Sequence, residues 1–317
     1  MSVPLYDQDD TRKRVPGPAL PPAGQGEDAG TLASRTRARV PGSRTFRRFI
    51  RHRLAVTGTA LLLLIVLLSI LAPWIAPYNP STPDLNALTA TGPTGAHWLG
   101  TDDIGEDVLS RLLYGGRISL GIGVASALIS LLIGVTVGAV AGWFGGAVDT
   151  LLMRFVDLML CFPALFLLLI IFALVPASPL IIVLFLGLFG WMYLARVVRG
   201  EFLSLKEREF VQGAQALGVG SVRIIVRHLL PNVAAAVIVT STLNIAYTML
   251  GEAALDFLGY GVSPDTPTWG NMLTKASDHY TDQPLLAIAP GLTITVAILC
   301  INFIGDGLRD ALDPRVQ

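Results

Sequence analysis

The sequence predicts an all-α integral membrane protein with six membrane-spanning helices. Of its 317 residues, 52% are hydrophobic and only 15% are charged. The mean hydropathy of +0.61 is too high for an ordinary water-soluble enzyme. The apolar runs are long enough to cross a bilayer as helices, and they lack the alternating pattern of a membrane barrel.

The first part of the chain differs from the rest in composition. Residues 1–45 are rich in Pro, Gly, Arg and Asp and have no sustained apolar period. Such a segment buries too little surface to offset the entropy of ordering, so it is predicted to be a disordered tail before a membrane domain over 46–317. A basic run leads into the first apolar stretch, which resembles a signal anchor because no small-residue cleavage site follows it. This run comprises Arg44, Arg47, Arg48, Arg51 and Arg53.

The six predicted spans are 54–75, 118–142, 151–175, 179–197, 232–251 and 285–305. Each is predicted to be an uninterrupted helix, because backbone groups in lipid must be satisfied within the segment. In the second span, Gly134, Gly138 and Gly142 predict close helix packing, either within this chain or across a subunit interface. In the third, Arg154 and Asp157 are predicted to form an ion pair.

The distribution of Lys and Arg predicts how the chain is oriented. With the amino terminus in the cytoplasm, the basic loop 198–231 and the carboxyl-terminal Arg309 and Arg315 lie on the same side. The segments 76–117 and 252–284 then face outward, with few basic residues and many acids. The sequence therefore predicts a multi-pass plasma (inner) membrane protein with both termini in the cytoplasm.

Clustered acids precede the second span. Carboxylates suit hard cations, but the spacing does not match a calcium-binding loop. Asp103 and Glu106 have the spacing of a capping box, which favours a helix start. An apolar stripe then predicts a helix resting at the outer interface. The acids are Asp102, Asp103, Glu106 and Asp107, and the stripe is Val108, Leu109, Leu112 and Leu113.

The sequence carries no motif for catalysis, for a metal or for nucleotide binding. It has no G-x-S-x-G and no G-x-x-x-x-G-K-[ST] pattern. Cys161 and Cys300 lie in apolar runs, where a thiol usually acts as a small hydrophobe. The histidines His52, His97, His228 and His279 lack metal-ligand spacing. We therefore expect no enzyme activity, no metal, no cofactor on this chain and no nucleic-acid partner.

The segment 204–231 is too long and too patterned for a simple connection between the fourth and fifth spans. Ser204 and Glu207 fit a capping box, Gly218 predicts a helix end, and Pro231 suits the first turn of the next span. Residues predicted to share one helical face are Phe210, Val211, Ala214 and Leu217. Such a helix either lies on the membrane surface or fits a groove in a partner.

This segment resembles the EAA loop of permease subunits in binding-protein-dependent ATP-binding-cassette importers. The Glu-Ala-Ala of the family, its later Gly and its closing Leu-Pro fall on Gln212, Gly213, Ala214, Gly218, Leu230 and Pro231. Gln212 and Gly213 depart from the residues usual in the family. Three further segments resemble the second permease subunit of dipeptide, oligopeptide and nickel importers, at 97–120, 257–273 and 305–315.

The resemblance implies a type I ABC importer permease fold with a cytoplasmic coupling helix between the fourth and fifth spans. It assigns coupling to the ATPase to Gln212, Gly213, Ala214, Ala216, Leu217, Gly218, Leu230 and Pro231. The implied partners are a homologous first permease subunit, two cytoplasmic ATPase subunits that use ATP and Mg²⁺, an extracytoplasmic solute-binding protein and membrane lipid.

The expected substrate is a di- or oligopeptide, with a nickel chelate, haem or another small solute as alternatives. Residues that contact the substrate are not assigned. The residues alone also leave open a secondary transporter driven by an ion gradient, which would show ionisable residues or broken helices at mid-membrane. An intramembrane hydrolase would need a paired nucleophile and base, and neither is visible.

Overall fold

The structure is a computed structural model that describes residues 41–85, 87, 91–279 and 281–312. The predicted tail up to residue 40 and Arg315 lie outside the described residues. Helix α1 (Pro41–Arg51) begins inside the segment 1–45 that was predicted to be tail. It is followed directly by α2 (Arg53–Ile70), whose first turn is capped by His52: its Nδ1 accepts a hydrogen bond from the Ala55 N–H at 3.1 Å.

Among the described residues, five helices are long and apolar enough to cross a membrane, and a bent helix pair supplies a sixth span when taken as one. The six predicted spans are thus confirmed as apolar helical segments. They are α2, α4 (Val108–Phe144), the pair α5 (Gly146–Leu160) and α6 (Ala164–Leu174), α7 (Pro179–Lys206), the continuous helical run Ser221–Phe257, and α12 (Leu285–Leu312).

The remaining helices are short. Helix α3 (Ala72–Ile75) follows the first span, and α8 (Glu209–Ala216) lies between the fourth and fifth spans. The run Ser221–Phe257 consists of α9 (Ser221–Ile224), a π-helical turn (Ile225–Leu229) and α10 (Leu230–Phe257). Helix α11 (Trp269–Ala276) lies between α10 and α12.

The third predicted span, 151–175, is broken, so the prediction of an uninterrupted helix there is wrong. Helices α5 and α6 meet at an angle of 74°. Pro163 directly precedes α6 and has no N–H to donate, and it disfavours helical backbone in the residue before it. The backbone ladder of α5 therefore ends at Cys161, which donates its N–H to the Asp157 carbonyl oxygen at 3.1 Å.

The second span begins earlier than predicted. Helix α4 runs unbroken from Val108, so the stripe Val108, Leu109, Leu112 and Leu113 belongs to the span and is not a separate interfacial helix. The cap is Asp107, whose Oδ2 accepts from the Ser110 N–H at 2.8 Å. The capping box predicted for Asp103 and Glu106 is therefore wrong, although an acid does cap this helix.

The glycine stripe of α4 packs against α7 of the same chain. A Cβ atom on Gly138 would lie 2.5 Å from the Ala195 carbonyl oxygen, and one on Gly142 would lie 2.6 Å from the Cβ of Phe202. Gly134 lies similarly close to α7. Because ordinary carbon contacts need about 3.5 Å, only glycine lets the two backbones come this close.

The ion pairs close to this packed end of α7 differ from the prediction. Asp157 pairs with Arg196 of α7 at 2.5 Å, so the predicted pairing of Asp157 with Arg154 is wrong. Asp149 pairs with Arg199, whose Nη2 lies 2.6 Å from Oδ2. Both pairs join α5 to α7, whereas a pair between two residues of α5 would not have linked that helix to another.

Two buried acids tie the end of α10 to its neighbours. Glu252 accepts a hydrogen bond from the Ser119 hydroxyl of α4 at 3.0 Å. Asp256 accepts from the Val262 N–H at 2.8 Å and from the Thr268 hydroxyl. These contacts fix the start of α11 against α4 and α10.

Candidate functional site

The short helix α8 is anchored on one side by an apolar cluster. Val211 is fully buried and packs in a cluster with Phe202 of α7, Ile224 of α9 and Leu229 of the π-helical turn. Ala214 is half-buried against the same cluster. The cluster also includes residues of α4, so α8 rests on the ends of three spans.

The start of α8 is not built as predicted. Ser204 lies inside the last turn of α7, and Glu207 caps the end of α7, so the capping box predicted for this pair is wrong. Helix α8 begins after Arg208, which provides no side-chain cap. Instead, Nε2 of Gln212 donates a hydrogen bond to the Glu207 carbonyl oxygen at 3.2 Å. A glutamate carboxylate could not donate this bond, so the departure at Gln212 supplies a tie between α8 and α7.

The end of α8 depends on Gly218, as the sequence predicts. Its φ of 74° lies in the left-handed region that favours glycine. The Gly218 N–H donates to the Gln215 carbonyl oxygen at 2.9 Å, and the Val219 N–H donates to that of Ala214 at 3.1 Å. This pair of bonds is a Schellman motif, which satisfies carbonyls that a helix end leaves free.

The run after the turn leads directly into the fifth span. Pro231 lies in the first turn of α10, as predicted. The π-helical turn precedes it, and the Leu230 N–H reaches back to the Ile225 carbonyl oxygen. A proline has no N–H and crowds the carbonyl of the preceding turn, and the wider π-helical turn relieves that crowding. Leu230 is half-buried against the apolar cluster, whereas Pro231 is exposed.

The residues predicted to share one face of α8 fall into two environments. Val211 and Ala214 point into the cluster, while Phe210 is 47% exposed and Leu217 is 85% exposed. The spacing of seven residues places the last two on the same side of the helix. Helix α8 therefore keeps one apolar side anchored and leaves another open.

Of the residues assigned to coupling, those exposed on or beside α8 are Gln212, Gly213, Ala216, Leu217 and Gly218. Ala214 belongs to the anchor, and Leu230 and Pro231 begin the next span. Sequence reasoning missed Val222 and Val226, which are 75% and 58% exposed beside α8. The sequence feature that could have identified them is the presence of large apolar side chains in an otherwise basic loop.

The support beneath α8 is held by polar contacts as well. The Lys206 ammonium donates to the Trp143 carbonyl oxygen at 2.6 Å and lies 5.6 Å from the centroid of the Trp143 ring. This contact joins the last turn of α7 to the end of α4. A displacement of α8 would therefore act on packed helix ends and not on a free loop.

At the opposite end of the spans, the clustered acids face basic side chains. Lys275 lies 3.0 Å from Asp102 and 2.8 Å from Glu106. Arg111 pairs with Glu106 and also donates to the Pro80 carbonyl oxygen at 3.1 Å. Burial raises the pKa of Glu106, opposed by its hydrogen bond with Lys275 and by the charges of Arg111 and Lys275.

His97 forms a second buried polar contact in this outer region. Its Nδ1 lies 2.9 Å from Oδ1 of Asp107, and its Nε2 lies 3.4 Å from Oδ2 of Asp84. Burial lowers the pKa of His97, but hydrogen bonds with the two carboxylates and their charges outweigh it, so the pKa is raised above 6.5. The imidazolium thus holds the segment before α4 to the cap of that helix.

Five to six long apolar helices among the described residues define a polytopic α-helical membrane protein. The chain belongs to the family described as binding-protein-dependent transport system inner membrane component, which matches residues 134–317. The family described as N-terminal TM domain of oligopeptide transport permease C matches residues 41–93. The predicted family is confirmed, and the chain is a multi-pass inner-membrane permease component and not an enzyme.

Individual relatives match over most of their length. The oligopeptide transport system permease protein OppC of Haemophilus influenzae is 40% identical over 271 residues, covering 85% of this chain and 87% of the relative. The protein of the same name from Mycobacterium tuberculosis is 42% identical over 270 residues, covering 84% and 92%. The glutathione transport system permease protein GsiD of Pectobacterium atrosepticum is 36% identical over 280 residues, covering 88% and 93%.

Proposed function

We propose that this chain forms half of the translocation pathway of an ATP-driven peptide importer. Two of the relatives described above carry oligopeptide transport in their names, and the third carries glutathione, which is itself a short peptide. Peptide is the chemistry that these names share. It ranks above the alternatives of a nickel chelate, haem or another small solute.

The observation that carries the coupling role is the division of α8 into an anchored and an open side. Val211 is fixed in the apolar cluster, and Leu217 is left 85% exposed. A rigid helix with exposed apolar anchors suits a groove in a partner, whereas a loop without an anchored side would transmit little force. We assign the open side, with Phe210, Leu217 and the exposed residues beside them, to docking on a cytoplasmic ATPase.

The implied complex contains further subunits. A homologous first permease subunit would complete the pathway within the lipid, an extracytoplasmic solute-binding protein would deliver the peptide, and two ATPase subunits would use ATP and Mg²⁺. This chain has no nucleotide motif, so hydrolysis belongs to those partners. Closure of the ATPase pair would displace α8 and thereby tilt the ends of α4, α7 and α10.

We infer that α8 and both chain termini face the cytoplasm. Basic residues concentrate in the loop that holds α8 and beside α1, whereas the region around Lys275 is mainly acidic. This orientation also places the acid-capped start of α4 on the side where a solute-binding protein would dock.

The rival transporter class would show broken helices, and the break between α5 and α6 is one such feature. It lies beside Pro163, however, and no ionisable side chain lies in α6. A proline explains this break without an ion site. Family membership and the anchored α8 both favour the ATP-driven importer.

Reconstitution tests this function directly. The chain is placed in proteoliposomes with its candidate first permease subunit, ATPase subunits and solute-binding protein, and uptake of a tritium-labelled tripeptide of alanine is measured. We expect uptake only when ATP, Mg²⁺ and all subunits are present. Uptake that persists without the ATPase subunits and follows a proton or sodium gradient would contradict the proposal.

A further inference from the structure

A groove of about 400 Å³ lies between α7 and α10, near the mid-length of both helices. By the bounds of these helices, Tyr193 lies at the middle of α7 and Asn244 at the middle of α10. The groove is lined by Tyr193, Leu194, Thr240, Leu243, Asn244 and Tyr247. These α10 residues recur at the spacing of one helical face, so the groove follows the helix axis.

Asn244 carries a polar group in this groove that lacks a hydrogen-bond partner within the described part of the chain. Its Nδ2 is buried and has no hydrogen-bond partner among the described residues. By contrast, the Thr248 hydroxyl, one turn away, donates a hydrogen bond to the Gly123 carbonyl oxygen at 3.0 Å. An unpaired amide costs free energy in a low-dielectric interior, and polar groups at mid-membrane are functional candidates for that reason.

The helix opposite is shaped to leave room for this amide. A Cβ on Gly190 would lie 3.2 Å from Oδ1 and 3.3 Å from Nδ2 of Asn244, and 2.5 Å from the Ser130 hydroxyl oxygen. Any larger residue at position 190 would push against the amide. The absence of a side chain there keeps Asn244 at the wall of the groove.

Two tyrosines border the amide and remain uncovered. Tyr193 is 67% exposed and Tyr247 is 73% exposed. Tyrosines of membrane proteins usually lie at the headgroup level, where the hydroxyl reaches water. Tyr193 lies one turn from Arg196, which pairs with Asp157, so polar groups are already present on that side of the groove. Tyr247 lies three residues beyond Asn244, away from that pair, and would place its hydroxyl in hydrocarbon if this face met lipid. The face is therefore suited to a polar occupant.

We propose that this groove contacts the peptide as it crosses the membrane, with Asn244 pairing with a peptide bond. This inference rests on the proposed function. A peptide group offers one N–H and one carbonyl oxygen, and an asparagine amide complements both. Tyr193 and Tyr247 pack against the flanking side chains, because tyrosine combines an apolar body with a polar tip.

The lining also defines which part of the peptide is recognised. None of the lining residues is charged, so the groove offers no partner to a terminal ammonium or carboxylate. It suits the internal backbone amides of a peptide, which are neutral and alike in all sequences. The groove would therefore tolerate many peptides, and it offers no charged side chain to a free metal cation.

Photo-crosslinking tests the contact in the assembled importer. p-Benzoylphenylalanine replaces Tyr193 or Tyr247. In the control it replaces Ile238, which is 39% exposed on the opposite side of α10 and is not part of the groove lining. With the tritium-labelled tripeptide of alanine and ATP, we expect labelled peptide on the chain at the two groove positions and not at the control. Crosslinks only to the other permease subunit would overturn the proposal, because the face would then be a subunit interface.

A second variant separates a transport role from a packing role. Asn244→Leu removes the amide at similar volume, so thermal unfolding should be unchanged or shifted upward while the half-saturating peptide concentration for uptake rises about threefold to tenfold. Ile238→Ala, on the opposite side of the helix, should leave uptake within about twofold. Unchanged uptake in Asn244→Leu would contradict the proposal. Failure of the unmodified complex to take up peptide would instead refute the proposed function.

Discussion

The Val219 N–H donates to the Ala214 carbonyl oxygen at 3.1 Å, and this bond closes the end of α8 over the cluster that anchors it. Both side chains are half-buried against that cluster. The bond forms only because Gly218 between them has a φ of 74°. The path from α8 to the fifth span therefore depends on one left-handed residue.

Replacing Gly218 with valine should uncouple ATP hydrolysis from peptide uptake. A β-branched residue in the left-handed region costs about 1–2 kcal/mol or more, so the turn should rearrange and displace α8. Membrane insertion should be unaffected, because the spans do not depend on this turn. The measurements are ATP-dependent uptake and the yield of membrane-inserted chain. Normal uptake by Gly218→Val would contradict the coupling role of the turn.

The matched control is Gly213→Ala in the middle of α8. Gly213 has an ordinary backbone, and an added Cβ would meet nothing within 4 Å. Alanine should stabilise the helix by about 1 kcal/mol relative to glycine. Uptake should therefore be preserved, which would show that the loss at Gly218 reflects the left-handed turn and not any change in the segment.

Leu217→Asp should weaken docking of the ATPase without disturbing the fold. The Leu217 side chain is 85% exposed, so its replacement removes no internal packing. An apolar anchor at a docking surface is typically worth about 2 kcal/mol, which corresponds to roughly thirtyfold in affinity. The measurement is the affinity of the detergent-solubilised permease pair for the ATPase. Gln215→Asp adds the same charge on the same helix, and an equal loss there would indicate a charge effect only.

The spans and the end of α8 could be predicted from sequence because they depend on local properties. Apolar length defines a span, and Gly218 marks a helix end by its own conformational freedom. The break at Pro163 had a local signal too, since proline disrupts the backbone ladder, but the apolar composition around it hid the break.

Which charged side chains form ion pairs could not be predicted, because the pairs join residues that are distant in the chain. Asp157 pairs with Arg196 on another helix, although Arg154 is closer in sequence. Lys275 reaches Asp102 across most of the chain, so the outer acids could be recognised as a cluster but not as an ion-pair network. The groove at Asn244 likewise requires two helices to be placed side by side.

Gly138→Leu should destabilise the protein through the packing of α4 on α7. Overpacking in a close helix contact costs about 1–3 kcal/mol, because the backbones must separate. The expected result is a lower midpoint of thermal unfolding in detergent. Gly200→Leu is the control, since an added Cβ at Gly200 of α7 meets nothing within 4 Å. Equal shifts in both variants would show that the glycine stripe has no special packing role.

Lys275→Met should destabilise the outer region by leaving a buried carboxylate without its cation. Glu106 and Asp102 have side-chain exposures of 5% and 7%, and removal of one partner from a buried ion pair costs about 3–5 kcal/mol. Adding Asp102→Asn removes the carboxylate that has lost its cation, while Glu106 keeps its pair with Arg111, and should recover part of the loss. Thermal unfolding of the single and double variants measures this, and a double variant less stable than Lys275→Met would contradict the charge explanation.

His97 should make the outer region more stable at low pH. Burial lowers its pKa, but the hydrogen bonds and charges of Asp107 and Asp84 raise it by more, so the folded pKa exceeds 6.5. The protonated form is therefore favoured by folding: this contribution is complete below pH 6.5 and is lost as the pH rises through the folded pKa. The midpoint of thermal unfolding should fall across that interval.

The fall of the unfolding midpoint with rising pH can be assigned to His97 only if it disappears when the imidazole is replaced. Glu106, whose pKa is also raised by burial, contributes a change of the same sign that starts near pH 4.5, so variants must be compared over the same interval. His97→Asn should flatten the dependence above pH 6.5, because its amide does not titrate there. His279→Asn, in the same outer region, should preserve it. An unchanged slope in His97→Asn would place the titrating group elsewhere and leave the contact with Asp107 as an ordinary hydrogen bond.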